Sequence, residues 1–165
     1  MFPGIPRLFH PLAAIPAGIA RPGSAAPLAL LRSMGYPGEV DALIRKIVEA
    51  ARRVHETLGP GFLERVYARA LLSELRSCGL AIERERQVRI WYGSFVVGKH
   101  SLDLIVERTV VIELKATHAL APIYGAQLRS YLRATDCSCG ILLNFGTLAF
   151  QWEVMHREIV AENSD

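Results

Sequence analysis

Two short apolar runs, Leu102–Val106 and Val110–Leu114, are separated by only three polar residues, Glu107-Arg108-Thr109. Aliphatic and β-branched residues in such runs favour strands, and a polar patch of this length favours a hairpin turn. The runs are apolar almost throughout rather than alternating, which predicts strands buried on both faces. Three charged residues nevertheless sit within or beside them: Asp103, Glu113 and Lys115. With the turn centred on Arg108, Asp103 lies opposite Glu113, and directly opposed residues have Cβ atoms about 5 Å apart. Glu113 and Lys115 share that face, because side chains alternate along a strand.

Two carboxylates and an ammonium on one side of a sheet are the set that metal-dependent cleavage of phosphodiesters needs. Oxygen ligands hold a hard cation such as Mg2+, and the cation polarises the phosphate and its bound water. The lysine can orient that water or offset charge as it builds up. A solvated hairpin would carry the same residue types without the chemistry. The apolar flanks argue against that reading, since a buried carboxylate needs a partner or a metal.

The rest of the chain supplies the layers. Val40, Leu43, Ile44, Ile47, Val48, Ala51 and Val54 recur at helical spacing, predicting a helix from Val40 to about Thr57. Leu58-Gly59-Pro60-Gly61 stops it. A second helix is expected from about Leu63 to Ser77, with Gly79 at its C-terminal cap. Ala81 to Trp91 reads as a strand, Tyr92-Gly93-Ser94 as a turn, and Phe95 to Val97 as a short strand before the hairpin. Pro122 to Arg133 reads as a third helix, and Cys139 to Phe145 and Leu148 to Met155 as closing strands. Helices, then strands, then a helix and two strands give an α/β layout, a mixed sheet flanked by helices in a single domain.

The segment before about Tyr36 stands apart, rich in Pro, Ala and Gly and without periodicity. Pro11 and Pro16 interrupt its one apolar stretch, which argues against a signal peptide and for a flexible tail. The organisation expected is therefore a tail over 1–36, a domain over 37–157 and a short tail over 158–165. Met34 stands just before the first patterned residues, as it would if the chain's start were assigned too early. No apolar run is long enough to cross a bilayer. Cys78, Cys137 and Cys139 form neither a disulfide framework nor a zinc spacing, and read as reduced thiols of a cytoplasmic protein. The net charge of +3 comes from Arg7, Arg21 and Arg32; from Glu39 onward 16 basic residues meet 16 acidic ones. Gripping nucleic acid through bulk charge is thereby excluded, and any such surface must be a local patch.

Four more residues are placed to join the charged set. Glu64 lies in the first turn of the second helix, where the helix dipole alone would favour an acid. Tyr67, three residues on, projects to nearly the same side. Gln127 and Tyr131 are four apart on the third helix and share a face. The run Gly61-Phe62-Leu63-Glu64-Arg65-Val66-Tyr67 resembles the G-x-x-E-x-x-Y signature of the GxxExxY protein family, within the PD-(D/E)XK nuclease superfamily. The resemblance covers roughly Val40 to Val154. It also includes Leu58-Gly59-Pro60-Gly61, Asp103, Glu113-Leu114-Lys115-Ala116, Gln127 with Tyr131, and Leu143-Asn144-Phe145-Gly146. It implies a restriction-endonuclease-like sheet with Asp103, Glu113 and Lys115 at its active edge. Glu64 is similar to the helix-borne acid of the RecB-like branch, and Gln127 with Tyr131 to that branch's Q-x-x-x-Y motif. Leu102 stands where the superfamily's name has proline.

The expectation is a metal-dependent nuclease. Glu64, Asp103 and Glu113 hold Mg2+ or Mn2+, Lys115 manages water and charge, and Tyr67, Gln127 and Tyr131 orient the substrate. A lysine crowded by a cation is expected to have a lowered pKa, which would let Lys115 also take a proton. The expected partner is nucleic acid, DNA before RNA, with no membrane; a homodimer is left open. The competing readings are a nuclease fold that binds nucleic acid or a protein partner without cutting, and a hydrolase of smaller phosphoesters.

Overall fold

The structure, a computed structural model, describes residues 38–157. The expected tails, 1–36 and 158–165, lie outside the described residues. Helix α1, Gly38–Leu58, is followed by α2, Glu64–Ser77; then come strands β1, Ile82–Tyr92, β2, Phe95–Val106, and β3, Val110–Lys115; then α3, Pro122–Arg133, β4, Cys139–Asn144, and β5, Gln151–His156. The five strands form one sheet in sequential order. All neighbours are antiparallel except β3 and β4, which run parallel and are joined across α3.

The sheet separates two apolar layers. On one face Ile44, Ile47, Val54, Leu71 and Leu75 of α1 and α2 pack against Leu104, Ile112, Leu114, Ile141 and Leu143. On the other, Leu128, Tyr131 and Leu132 of α3 pack against Ile105, Val111 and Leu142. β3 is therefore covered on both sides, which is why its sequence is apolar without alternation. Gly140 makes the close approach of α3 possible. A Cβ there would meet the Leu128 side chain at 2.7 Å.

Two strand boundaries differ from the sequence reading. β2 is continuous from Phe95, so the short strand and the hairpin strand are one, and with β1 it forms a long two-stranded arm. β5 starts at Gln151, because Thr147 turns the chain with its hydroxyl on the Ala149 carbonyl. Among the described residues, no helix is long and apolar enough to cross a membrane.

Candidate active site at the fork between β2 and β3

The β2–β3 turn places Glu107 and Arg108 at positive φ, and the pairing that follows runs Val106–Val110, Ile105–Val111, Leu104–Ile112. That is the register of a turn centred on Arg108. The ladder stops at Leu104–Ile112, one step short of Asp103 and Glu113, while β3 continues beside β4 as far as Lys115–Asn144. The two strands thus fork at Asp103. The opposite side of β2 is irregular at the same point: the β1–β2 ladder skips the Glu85–Asp103 step, and Glu85 has φ +50. An irregularity of this kind bends a strand and re-aims a side chain. Asp103 turns into the fork, where its Oδ2 accepts the Leu114 N–H at 2.9 Å. The carboxylate takes a backbone donor that a continued ladder would have used.

Glu113 and Lys115 project together, as their spacing requires, and Lys115 Nζ donates to Glu113 Oε1 at 2.7 Å. Glu113 is only 4% exposed. Burial raises its pKa above the usual carboxylate range; the Lys115 bond opposes this, and the Asp103 and Glu64 charges add to it. Lys115 is itself inside. Burial pulls its pKa down, but the bond to Glu113 and the charges of Glu113, Glu64 and Asp103 outweigh burial and hold it above the ordinary lysine value. With no cation beside it, Lys115 is held as a charged ammonium; the lowering expected from sequence belongs to the cation-bound site. It also lies 4.9 Å from the centre of the Tyr124 ring, a cation–π contact with α3.

Glu64 arrives from the other side of the sheet. It opens α2, and its Oε1 accepts the Ala116 N–H just past Lys115, at a long 3.4 Å. What aims it is the loop before it. Tyr67 is fully buried and stacked on Phe145; its hydroxyl donates to the Gly59 carbonyl and accepts the Phe62 N–H. Tyr67 was expected to orient substrate. Its hydroxyl is committed to the loop, and its side chain is buried.

On α3, Gln127 donates to the Tyr131 hydroxyl, and that hydroxyl bonds His100 Nε2 on β2. The His100 and Tyr131 rings stack at 4.3 Å. Burial, and then the Glu113 charge, push the Tyr131 pKa up to about 12, so the hydroxyl keeps its proton.

The structure thus brings Asp103, Glu113, Lys115 and Glu64 to one end of β3, with Gln127 and Tyr131 beside them. Sequence reading missed His100 and Tyr124, and gave Asn144 no role beyond its place in the Leu143–Gly146 run. Asn144 is fully buried: its Oδ1 accepts the Thr117 and Gly146 N–H groups, and its Nδ2 donates to the Thr117 carbonyl and Gln151 Oε1. It ties down the chain after Lys115. A polar residue ending the apolar run Cys139–Leu143 was the available signal for it.

Among the described residues, no three His, Cys, Asp or Glu side chains form a ready-made cation cage. One oxygen each of Asp103, Glu113 and Glu64 is held by Leu114, Lys115 and Ala116. The donor chemistry still fits a hard divalent cation. Three carboxylates face one ammonium, and their mutual repulsion helps to raise the Glu113 pKa.

A family model described as the PD-(D/E)XK nuclease superfamily matches residues 41–157. Among solved structures, the chain is similar to one described as the crystal structure of SSO0001, at 22% identity and a TM-score of 0.47, over 58% of this chain and 50% of that one. The chain spans about half the length of that protein. Comparison with curated proteins gives no match.

Proposed function

Because this chain belongs to the PD-(D/E)XK nuclease superfamily, we propose that it hydrolyses phosphodiester bonds of nucleic acid, DNA before RNA, with a divalent cation, Mg2+ or Mn2+, held by Asp103, Glu113 and Glu64. The observation that carries the reading is the fork. Three carboxylates from separate elements approach one charged lysine there, Glu113 buried, Asp103 half-buried and Glu64 exposed at the rim. A divalent cation bound there would polarise the phosphate and acidify its water. The Leu114 carbonyl is a further candidate ligand. Lys115 orients the attacking water and stabilises negative charge on the phosphate oxygens. Gln127, Tyr131 and His100 form a chain of hydrogen bonds that fixes the edge of the site, with Gln127 Oε1 left over for water or substrate. Tyr67 acts one step removed, as the post under the loop that aims Glu64. Within the superfamily, the G-x-x-E-x-x-Y run and the Gln127–Tyr131 pair support placement in the GxxExxY family and the RecB-like branch.

A second reading, a nuclease fold that binds nucleic acid without cutting, draws on the closed Lys115–Glu113 pair and the lack of a ready-made cage among the described residues. One assay separates the two: cleavage of single- and double-stranded DNA and RNA by the purified chain with Mg2+ or Mn2+. Cleavage abolished by EDTA is expected. Binding with no cleavage on any substrate would give the second reading.

A further inference from the structure

The β1–β2 arm is not explained by the fork. Beyond Ile90 and His100, the last residues packed against the α3 layer, the hairpin carries its largest apolar side chains into solvent. Trp91, Tyr92 and Phe95 are 57%, 77% and 72% exposed. A two-stranded hairpin gains little stability from such residues, and exposed apolar groups gathered at one place mark a binding surface. The charge on the arm is equally one-sided. From Arg86 to Leu102 there are two arginines and one lysine and no Asp or Glu. Arg89 and Lys99 face each other directly across the strands. Both are exposed, and neither takes part in an ion pair among the described residues. Like charges directly opposed destabilise a sheet unless an anion lies between or over them.

The arm is joined to the site by its own strand. Lys99 lies four residues before Asp103, about 13 Å along β2; its neighbour His100, on the opposite face of the strand, stacks on Tyr131. From the pairing register, Trp91 and Val96 share the face of Arg89 and Lys99, while Tyr92 and Phe95 pair on the opposite face. The rings therefore present stacking surfaces on both sides of the tip, with cations between the tip and the fork.

We propose that the arm grips unpaired nucleic acid, stacking bases on Trp91, Tyr92 and Phe95 while Arg89 and Lys99 hold the phosphates leading to Asp103. Aromatic faces accept any base but need it unstacked, so the substrate is single-stranded or locally opened. A second copy of the chain is disfavoured as occupant, since it would set one basic arm against another. The inference deepens the nuclease reading and rests on it for the direction of the strand, but binding tests it separately.

The experiment is fluorescence anisotropy with the full chain in EDTA, so that nothing is cut, using short labelled single strands of DNA and of RNA and a blunt duplex of the same sequence. Single strands should bind at least about tenfold more tightly than duplex, as expected where stacking contributes. Replacing Trp91, Tyr92 and Phe95 together by alanine should cost single-strand affinity at least tenfold and leave the duplex value nearly unchanged. Trp91→Phe with Tyr92→Phe should retain most of it, because the rings remain; this guards against an arm that merely fails to form. Arg89→Ala with Lys99→Ala should lower the salt dependence of single-strand binding by roughly 0.7 in log–log slope per cation removed. DNA and RNA arms that respond alike assign the surface to both; a response in one alone assigns it to that one. Equal affinity for single strand and duplex, or single-strand affinity untouched by the alanine variant, overturns the proposal. So does a dimer that dissociates in the alanine variant while strand binding stays the same. A wild-type chain that binds single strands through the arm yet cuts nothing with Mg2+ sinks the nuclease reading and leaves the arm. A chain that cuts but ignores the arm substitutions sinks the arm alone.

Discussion

Asp103 serves as hydrogen-bond acceptor for Leu114 and as a charge facing Glu113, and the two can be separated. Asp103→Asn keeps an oxygen for the Leu114 N–H and removes the charge. Without divalent cations its stability should stay within about 1 kcal/mol of the wild type, because removing the charge relieves Glu113 and deprives Lys115 together. With Mg2+ added, Tm should rise for the wild type and stay flat for the variant, and cleavage should be lost. Lys115→Ala leaves all three carboxylates, so it should retain much of its cation affinity while cleavage falls by about a hundredfold or more, as on removing one electrostatic catalyst. Gln127→Ala should fall between. Calorimetry, melting curves and cleavage rates read all three, and cleavage surviving both Asp103→Asn and Lys115→Ala would place the chemistry elsewhere. The residues in this test were legible in the sequence because hairpin register and strand alternation are local rules. His100 and Tyr124 were not, because each meets its partner only through the docking of α3 on the sheet, which no local spacing reports.

Between elements, the site depends on two loops being locked. The chain after β3 is held to the chain after β4 by Asn144 and by the contact of Gly146 with Thr117, where a Cβ would sit 2.3 Å from the Thr117 nitrogen. The Thr117 nitrogen is backbone, so it cannot swing aside. Gly146→Ala should therefore destabilise the domain by about 1–3 kcal/mol, the usual range for overpacking, and reduce cleavage further by displacing Ala116, which meets Glu64. Tyr67→Phe is the milder companion. The stack on Phe145 remains, the bonds to Gly59 and Phe62 are lost, and stability should drop by about 1–2 kcal/mol. If Tyr67 only supports Glu64, cleavage should fall in that variant with little change in substrate affinity. A large loss of affinity instead would return Tyr67 to the substrate. Helix limits were readable from sequence to within a residue or two, since Gly59, Gly79 and Pro122 punctuate them. The continuity of β2 was not, because Gly98, Lys99 and His100 break the apolar pattern for reasons that lie outside the core.

At the scale of the molecule, charge and core describe two different objects. Both apolar layers are built from residues between Val40 and Met155, and the family match spans 41–157. Three of the sixteen acids, Glu158, Glu162 and Asp165, lie beyond the described residues, so the described domain carries sixteen basic against thirteen acidic residues. The neutrality counted from Glu39 onward is therefore not that of the domain, and the arm from Arg86 to Leu102 carries three basic residues and no acid, while the fork is acid-rich. A chain cut to residues 38–157 contains every buried contact described above and should fold on its own. Its melting temperature should match that of the full chain within about 2 °C, since no described core residue is removed and a shift of that size corresponds to less than about 1 kcal/mol. The same trimmed chain should retain cleavage and the preference for single strands. A fall in Tm of ten degrees or so would mean that residues 1–37 or 158–165 cover part of the core, and an affinity loss with Tm unchanged would assign Arg7, Arg21 and Arg32 to the nucleic-acid surface.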